Sequence, residues 1–183
     1  MMRLPLYPDV PCSALRQIEV EVARPSASRL IVHYVVVGRI RDLRVPPVTT
    51  SVRADELWQH TCFEAFVRPL PSDSYYEFNF SPSTQWAAYR FSAYRAEMTE
   101  AYEVHAPRIE VQSSCGLYEL HASLDLDDMP GLPSDAVWRL GLSVVTETTS
   151  GEKSYWALAH PLSKADFHHP DCFAHELPAV SGT

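Results

Sequence analysis

Two glutamates, an asparagine, a tryptophan and an arginine, set within three short aromatic runs, are the side chains of this sequence best suited to chemistry. Glu64 lies in TCFEAFVR (61–68), Glu77 and Asn79 in YYEFNFS (75–81), and Trp86 and Arg90 in QWAAYRFSA (85–93). Carboxylates and an amide exchange hydrogen bonds with sugar hydroxyls, and an indole face stacks on the apolar face of a pyranose. The same residues could instead form an internal network that orders a sheet, with Arg90 pairing a glutamate. A third use is catalytic. Glu64 and Glu77 could be the acid and nucleophile of a glycoside-active enzyme, a role that needs a carboxylate separation sequence cannot supply.

Elements that position these groups follow from parity. Aromatic and β-branched residues in short alternating runs make strands. In 61–68, Thr61, Phe63, Ala65 and Val67 share one face, and Cys62, Glu64, Phe66 and Arg68 the other. In 75–81, Tyr76, Phe78 and Phe80 are expected to point inward, leaving Tyr75, Glu77, Asn79 and Ser81 opposite. In 85–93, Trp86, Ala88, Arg90 and Ser92 fall together, opposite Ala87, Tyr89 and Phe91. If the three strands are neighbours, Glu64, Glu77, Asn79, Trp86 and Arg90 converge on one partly apolar surface.

Further strands are expected at 17–23, 29–37, 117–126, 138–144, 154–160 and 172–177, with a hairpin turn at 148–152. Helix is expected only as a turn at 54–58 and another N-capped by Ser134. Short strands separated by proline-rich loops predict an all-β protein: an antiparallel β-sandwich of jelly-roll or immunoglobulin-like type. The chain of 183 residues suits a single domain, 1–183, with its core from about residue 15 to about residue 178.

Composition removes some partners. Fifteen Lys and Arg against 23 Asp and Glu give a net charge of -8, so neither nucleic acid nor an anionic membrane is expected. Arg39, Arg41 and Arg44 read as a solvated loop after a strand. Residues 1–10 carry no apolar stretch of signal-peptide length and no segment is long enough to span a bilayer, so a cytoplasmic protein with reduced cysteines is expected. No nucleophile-elbow, zincin, P-loop or dinucleotide motif occurs. The tail DFHHPDCFAH offers His168, His169, Cys172 and His175. Adjacent histidines in an extended segment diverge, so a structural turn is expected there, with His168 and His169 only weak metal candidates.

Taken as a set, TCFEAF (61–66), YEFNFSP (76–82), WAAYRF (86–91) and DFHHPDCF (166–173) resemble the bacterial DOMON-like proteins, which are similar to family 9 carbohydrate-binding modules. That resemblance implies a jelly-roll-like sandwich whose relatives bind sugars or haem without catalysis. It carries Glu64, Asn79 and Trp86 over as ligand contacts. The haem alternative, an electron-transfer module, would need an axial pair; Met98 is the best placed residue, with His160, His168 or Lys164 as its partner. The leading expectation is a non-catalytic module for a carbohydrate or sugar-like small molecule, with no cofactor and an open oligomeric state.

Overall fold

A computed structural model of the protein describes residues 1–10, 12–127, 129–162 and 164–180. Its strands, in chain order, are β1 (Met2–Leu4), β2 (Leu15–Ser26), β3 (Arg29–Gly38), β4 (Cys62–Pro69), β5 (Tyr75–Phe80), β6 (Trp86–Phe91), β7 (Thr99–Glu100), β8 (Arg108–Ser113), β9 (Leu117–Asp125), β10 (Trp138–Glu147), β11 (Lys153–Ala157) and β12 (His175–Leu177). The first sheet has the order β1-β2-β3-β9-β8 and the second β11-β10-β4-β5-β6-β7, with β12 also on β10. Every pairing is antiparallel. No α-helix occurs among the described residues. The expected β-sandwich is the fold.

Alternation decides what fills the space between the sheets. Ile18 and Val20 of β2, Leu30, Val32 and Tyr34 of β3, and Leu120 and Leu124 of β9 meet Phe63, Val67, Phe78, Phe80, Trp138 and Leu142 of the second sheet. All are essentially sealed from water. Removing this apolar area from water is the main stabilising term. Tyr34 Oη, deep inside, donates to the backbone carbonyl of Glu64 at 2.7 Å, whereas the buried Tyr118 Oη has no hydrogen-bond partner among the described residues. The core also begins earlier than expected, because β1 brings Leu4 into it.

The two sheets treat their outer faces differently. Outward residues of β9 such as Glu119, His121 and Ser123 stay half exposed, as in an ordinary one-sided sheet. In the second sheet, β5 is buried at every position and β4 at all but Arg68. A second apolar cluster covers that outer face: Phe66, Tyr75, Ala87, Tyr89, Phe91 and Val145, capped by Phe167 and Phe173 of the C-terminal segment.

Strands β1, β7 and β8 were not foreseen. β1 and β7 are too short to show a period, and β8 carries only Ile109 and Val111 among polar neighbours. The turn at 54–58 is a 3-10 turn over Leu57–Gln59, and Ser134 opens only a reverse turn in which Ala136 N–H reaches Pro133 O at 3.2 Å. The expected strand 172–177 is a 3-10 turn, Pro170–Cys172, followed by β12. The hairpin at 148–152 is present, closed by Thr148 N–H to Glu152 O at 2.8 Å, with Gly151 at φ 88°.

Close backbone approach fixes the end of β3. A Cβ on Gly38 would sit 2.5 Å from the Ala14 carbonyl oxygen and 2.7 Å from Leu15 Cα, at the irregular start of β2. Gly38→Ala should therefore lower stability by about 1–3 kcal/mol in chemical denaturation. Gly116→Ala, whose Cβ has nothing nearer than 4.0 Å, is the control and should unfold like the parent.

Candidate functional site

Register assembles the site on the outer face of the second sheet. Glu64 of β4 lies opposite Asn79 of β5 on one side and Ser143 of β10 on the other. Glu77 lies opposite Phe66 and Tyr89. Directly opposed residues project to the same side, so Glu64 and Glu77 are diagonal neighbours there, within reach of each other's charge. They line a cavity of about 520 Å³. Glu64, Glu77, Tyr89, Phe91, Val145 and Phe167 form its buried base and walls, and Trp58, Gln59, Arg95, Met98, Lys153 and Tyr155 its more exposed rim.

Each polar group is held by a short contact. Ser143 Oγ donates to Glu64 Oε2 at 3.1 Å, and Asn79 Nδ2 donates to Glu77 Oε1 at 2.8 Å. Asn79 itself is fully buried behind the glutamates, and its Oδ1 has no partner among the described residues. His168 Nδ1 lies 2.8 Å from Tyr75 Oη, which also accepts the Arg95 N–H at 3.3 Å. With Tyr75 donating to Nδ1, the Nε2–H of His168 faces Glu77 Oε2 at 3.6 Å. Arg95 forks onto Asp166 Oδ1 through Nη2 at 2.8 Å and Nε at 3.2 Å, while Tyr94 Oη donates to Oδ2 at 2.6 Å.

Burial dominates the electrostatics. Loss of water, followed by the charge of Glu77, holds Glu64 well above the usual carboxylate range, against the pull of Ser143. Desolvation pushes Glu77 up to about 7, although Asn79 and Arg95 favour its charged form. Burial, with Arg95 adding to it, pushes His168 down to about 4, so its contact with Glu77 is one of a neutral ring rather than an ion pair. Asp166 moves the other way: desolvation raises it, but hydrogen bonds from Arg95 and Tyr94 outweigh that and hold it low.

Backbone geometry at the rim is unusual. Glu56, Arg95 and Glu97 hold left-handed φ of 58°, 52° and 49°. They flank Trp58 and Met98, so the two loops that edge the cavity keep conformations non-glycine residues rarely adopt.

Of the residues proposed from sequence, Glu64 and Glu77 line the cavity and Asn79 supports them, but Trp86 and Arg90 face the other way. Strand β6 pairs Phe80 with Trp86 and Tyr76 with Arg90, which puts both on the side of the inter-sheet core. Trp86 is buried there under the guanidinium of Arg53, 4.4 Å from its ring. Arg90 reaches the sandwich edge, 3.9 Å from Glu103, and pairs neither glutamate. The opposite parity of β6, Tyr89 and Phe91, is what the cavity receives. Trp58, Tyr155 and Arg95 were missed as well; aromatics on both parities of 61–68 and 75–81 were the available sign of a second covered face.

Met98 lines the rim and is exposed, whereas His160 lies outside the cavity with Nε2 at 2.9 Å from the Pro5 carbonyl. His168 faces Glu77, while His169 Nδ1 accepts the Asp171 N–H at 3.3 Å, so the two histidines diverge. No three His, Cys, Asp or Glu side chains among the described residues gather as a metal ion requires. All four cysteines are unpaired, and no helix among the described residues is long and apolar enough to cross a membrane.

No family model and no curated protein matches this sequence. Solved structures do match. A Bacteroides uniformis protein, provisionally assigned as carbohydrate-binding, superimposes with a TM-score of 0.65 at 16% identity over 93% of this chain and 82% of that one. A family 9 carbohydrate-binding module from Caldicellulosiruptor kristjanssonii, solved in complex with glucose, gives 0.51 at 13% identity over 93% and 81%. The likeness is one of fold: this chain has the β-sandwich fold of family 9 carbohydrate-binding modules.

The raised glutamates carry a pH signature. A carboxyl whose folded pKa lies above its unfolded value of 4.5 stabilises the fold least where both states are ionised, so stability from Glu77 is lost as pH rises from 4.5 through about 7. His168 acts oppositely, adding stability as pH rises from about 4 to 6.5, and its contribution cancels when two proteins that both keep it are compared. Thermal melts should show Glu77→Gln gaining on the parent across the range from 4.5 to about 7 and a constant difference above it. A difference that does not change with pH would mean that Glu77 titrates normally.

Proposed function

We propose that this chain is a non-catalytic binding module that holds a carbohydrate in the cavity on the outer face of its second sheet. The observation that carries the reading is the pairing of two buried carboxylates with aromatic walls inside one open cavity. Sugars present hydroxyls along their edges and apolar C–H faces above and below. Acceptors at Glu64 and Glu77 suit the former, and Trp58 and Tyr155 at the rim suit the latter. At about 520 Å³ the cavity falls in the range of small-molecule sites.

Support also comes from the fold. The two similar structures are a protein provisionally assigned as carbohydrate-binding and a module solved with glucose. Preorganisation is visible in the Arg95–Asp166 fork, which fixes the C-terminal wall beside the cavity before any ligand arrives.

Titration calorimetry against a panel of mono- and oligosaccharides tests the reading. Trp58→Ala, at an exposed position, should weaken the best ligand by about tenfold with little change in melting temperature. Arg90→Ala should leave affinity unchanged, because Arg90 stands outside the cavity. No binding across the panel would remove the proposal. Paired glutamates with raised pKa also suit glycoside cleavage, so turnover of chromogenic glycosides, abolished by Glu64→Gln or Glu77→Gln, would replace binding with catalysis.

A further inference from the structure

The geometry points to a more specific ligand: we propose that the cavity selects an amino sugar, whose ammonium group sits between Glu64 and Glu77. This rests on the carbohydrate reading above and deepens it. Three observations converge, namely uncompensated acids at the base, acceptors left open toward the cavity, and aromatic walls around them.

Among the described residues, no lysine or arginine forms an ion pair with Glu64 or Glu77; the one ionisable partner is His168, 3.6 Å from Glu77. That ring is neutral at ordinary pH. The two cations that line the cavity stand elsewhere. Arg95 is half exposed and committed to Asp166, and Lys153 occupies the rim at the start of β11. The base of the cavity therefore holds two carboxyl groups with no directly paired Lys or Arg; Arg95 favours the charge on Glu77 only from the neighbouring wall, where it is paired with Asp166.

Hydrogen bonding is equally incomplete. Glu64 uses Oε2 for Ser143 and Glu77 uses Oε1 for Asn79. Among the described residues, Glu64 Oε1 receives no hydrogen bond, and Glu77 Oε2 has only the long His168 contact. Glu64 is 3% exposed and Glu77 6%, yet both line the cavity. A buried acceptor that opens only toward a cavity requires a donor from whatever fills it. An ammonium carries three donors and no acceptor, which matches two acceptors separated by a shared charge. A hydroxyl could donate once but brings no charge that would favour ionisation of the pair.

Walls of the right polarity complete the set. Tyr89, Phe91 and Phe167 flank the glutamates, with Trp58 edge-on to Tyr89 at 6.2 Å between ring centroids. The negative face of an aromatic ring attracts a cation, most strongly where water is excluded. The same rings take the apolar face of the pyranose, so one cavity can read both the charge and the ring of an amino sugar.

The experiment compares glucosamine, galactosamine and mannosamine with their parent hexoses and N-acetyl forms by titration calorimetry at about pH 7, where an amine of ordinary basicity is mostly charged. At least one amine should bind about tenfold tighter than both its parent and its N-acetyl form, the difference between a charge-assisted and a neutral hydrogen bond. Glu77→Gln and Glu64→Gln keep the side-chain shape and should erase that preference. Parent hexoses that bind as tightly as the amines overturn the inference but leave the carbohydrate reading standing. Absence of binding by all three classes overturns both. The unmodified protein alone decides between these outcomes if a variant fails to fold.

Discussion

Two carboxyl groups buried side by side on neighbouring strands set the terms for everything around them. Water normally stabilises a carboxylate charge, and Glu64 and Glu77 have lost nearly all of it. Each charge also repels the other, so the pair favours at least one bound proton or an external cation. Ser143 and Asn79 supply one hydrogen bond apiece, which is less than a fully buried carboxylate needs. A site so incompletely satisfied is costly to keep as a purely structural network. Opening onto a cavity gives that cost a use.

The fold creates this situation by covering a sheet twice. Sandwich sheets usually turn one face to the core and the other to water. Here the C-terminal segment folds back over β4, β5 and β6, and Phe167 and Phe173 close a second apolar cluster. Asp166 anchors that segment through Arg95 and Tyr94, and His168 follows it into contact with Tyr75 and Glu77. The covering segment thus builds one wall of the cavity and also lowers the local dielectric around the glutamates. Left-handed residues flank Trp58 and Met98 in the loops at the rim.

Much of this was readable from residues. Alternation in 17–23 and 117–126 marked two strands of the first sheet, and parity in 61–68 and 75–81 placed Glu64, Glu77 and Asn79 together on one side. Parity within β6 was equally clear but did not say which of its faces points inward. Trp86 and Phe91 are both large and apolar, and only the pairing of Phe80 with Trp86 resolves the choice. The covering segment was harder. DFHHPDCF announces a turn, but contact between Asp166 and Arg95, 71 positions apart, depends on tertiary packing that no local pattern encodes. Aromatics on both faces of β4 and β5 recorded its presence without identifying it.

An inward-looking sheet with a second, ligand-facing core differs from a sandwich that merely buries two awkward glutamates. Nuclear magnetic resonance of isotope-labelled protein titrated with hexosamines and hexoses separates them most directly. The account requires ligand-dependent shifts that saturate and centre on Glu64, Glu77, Tyr89, Phe91 and His168. Shifts confined to the outer face of the first sheet, around His33 and His121, or no shifts at the highest ligand concentrations, would contradict it.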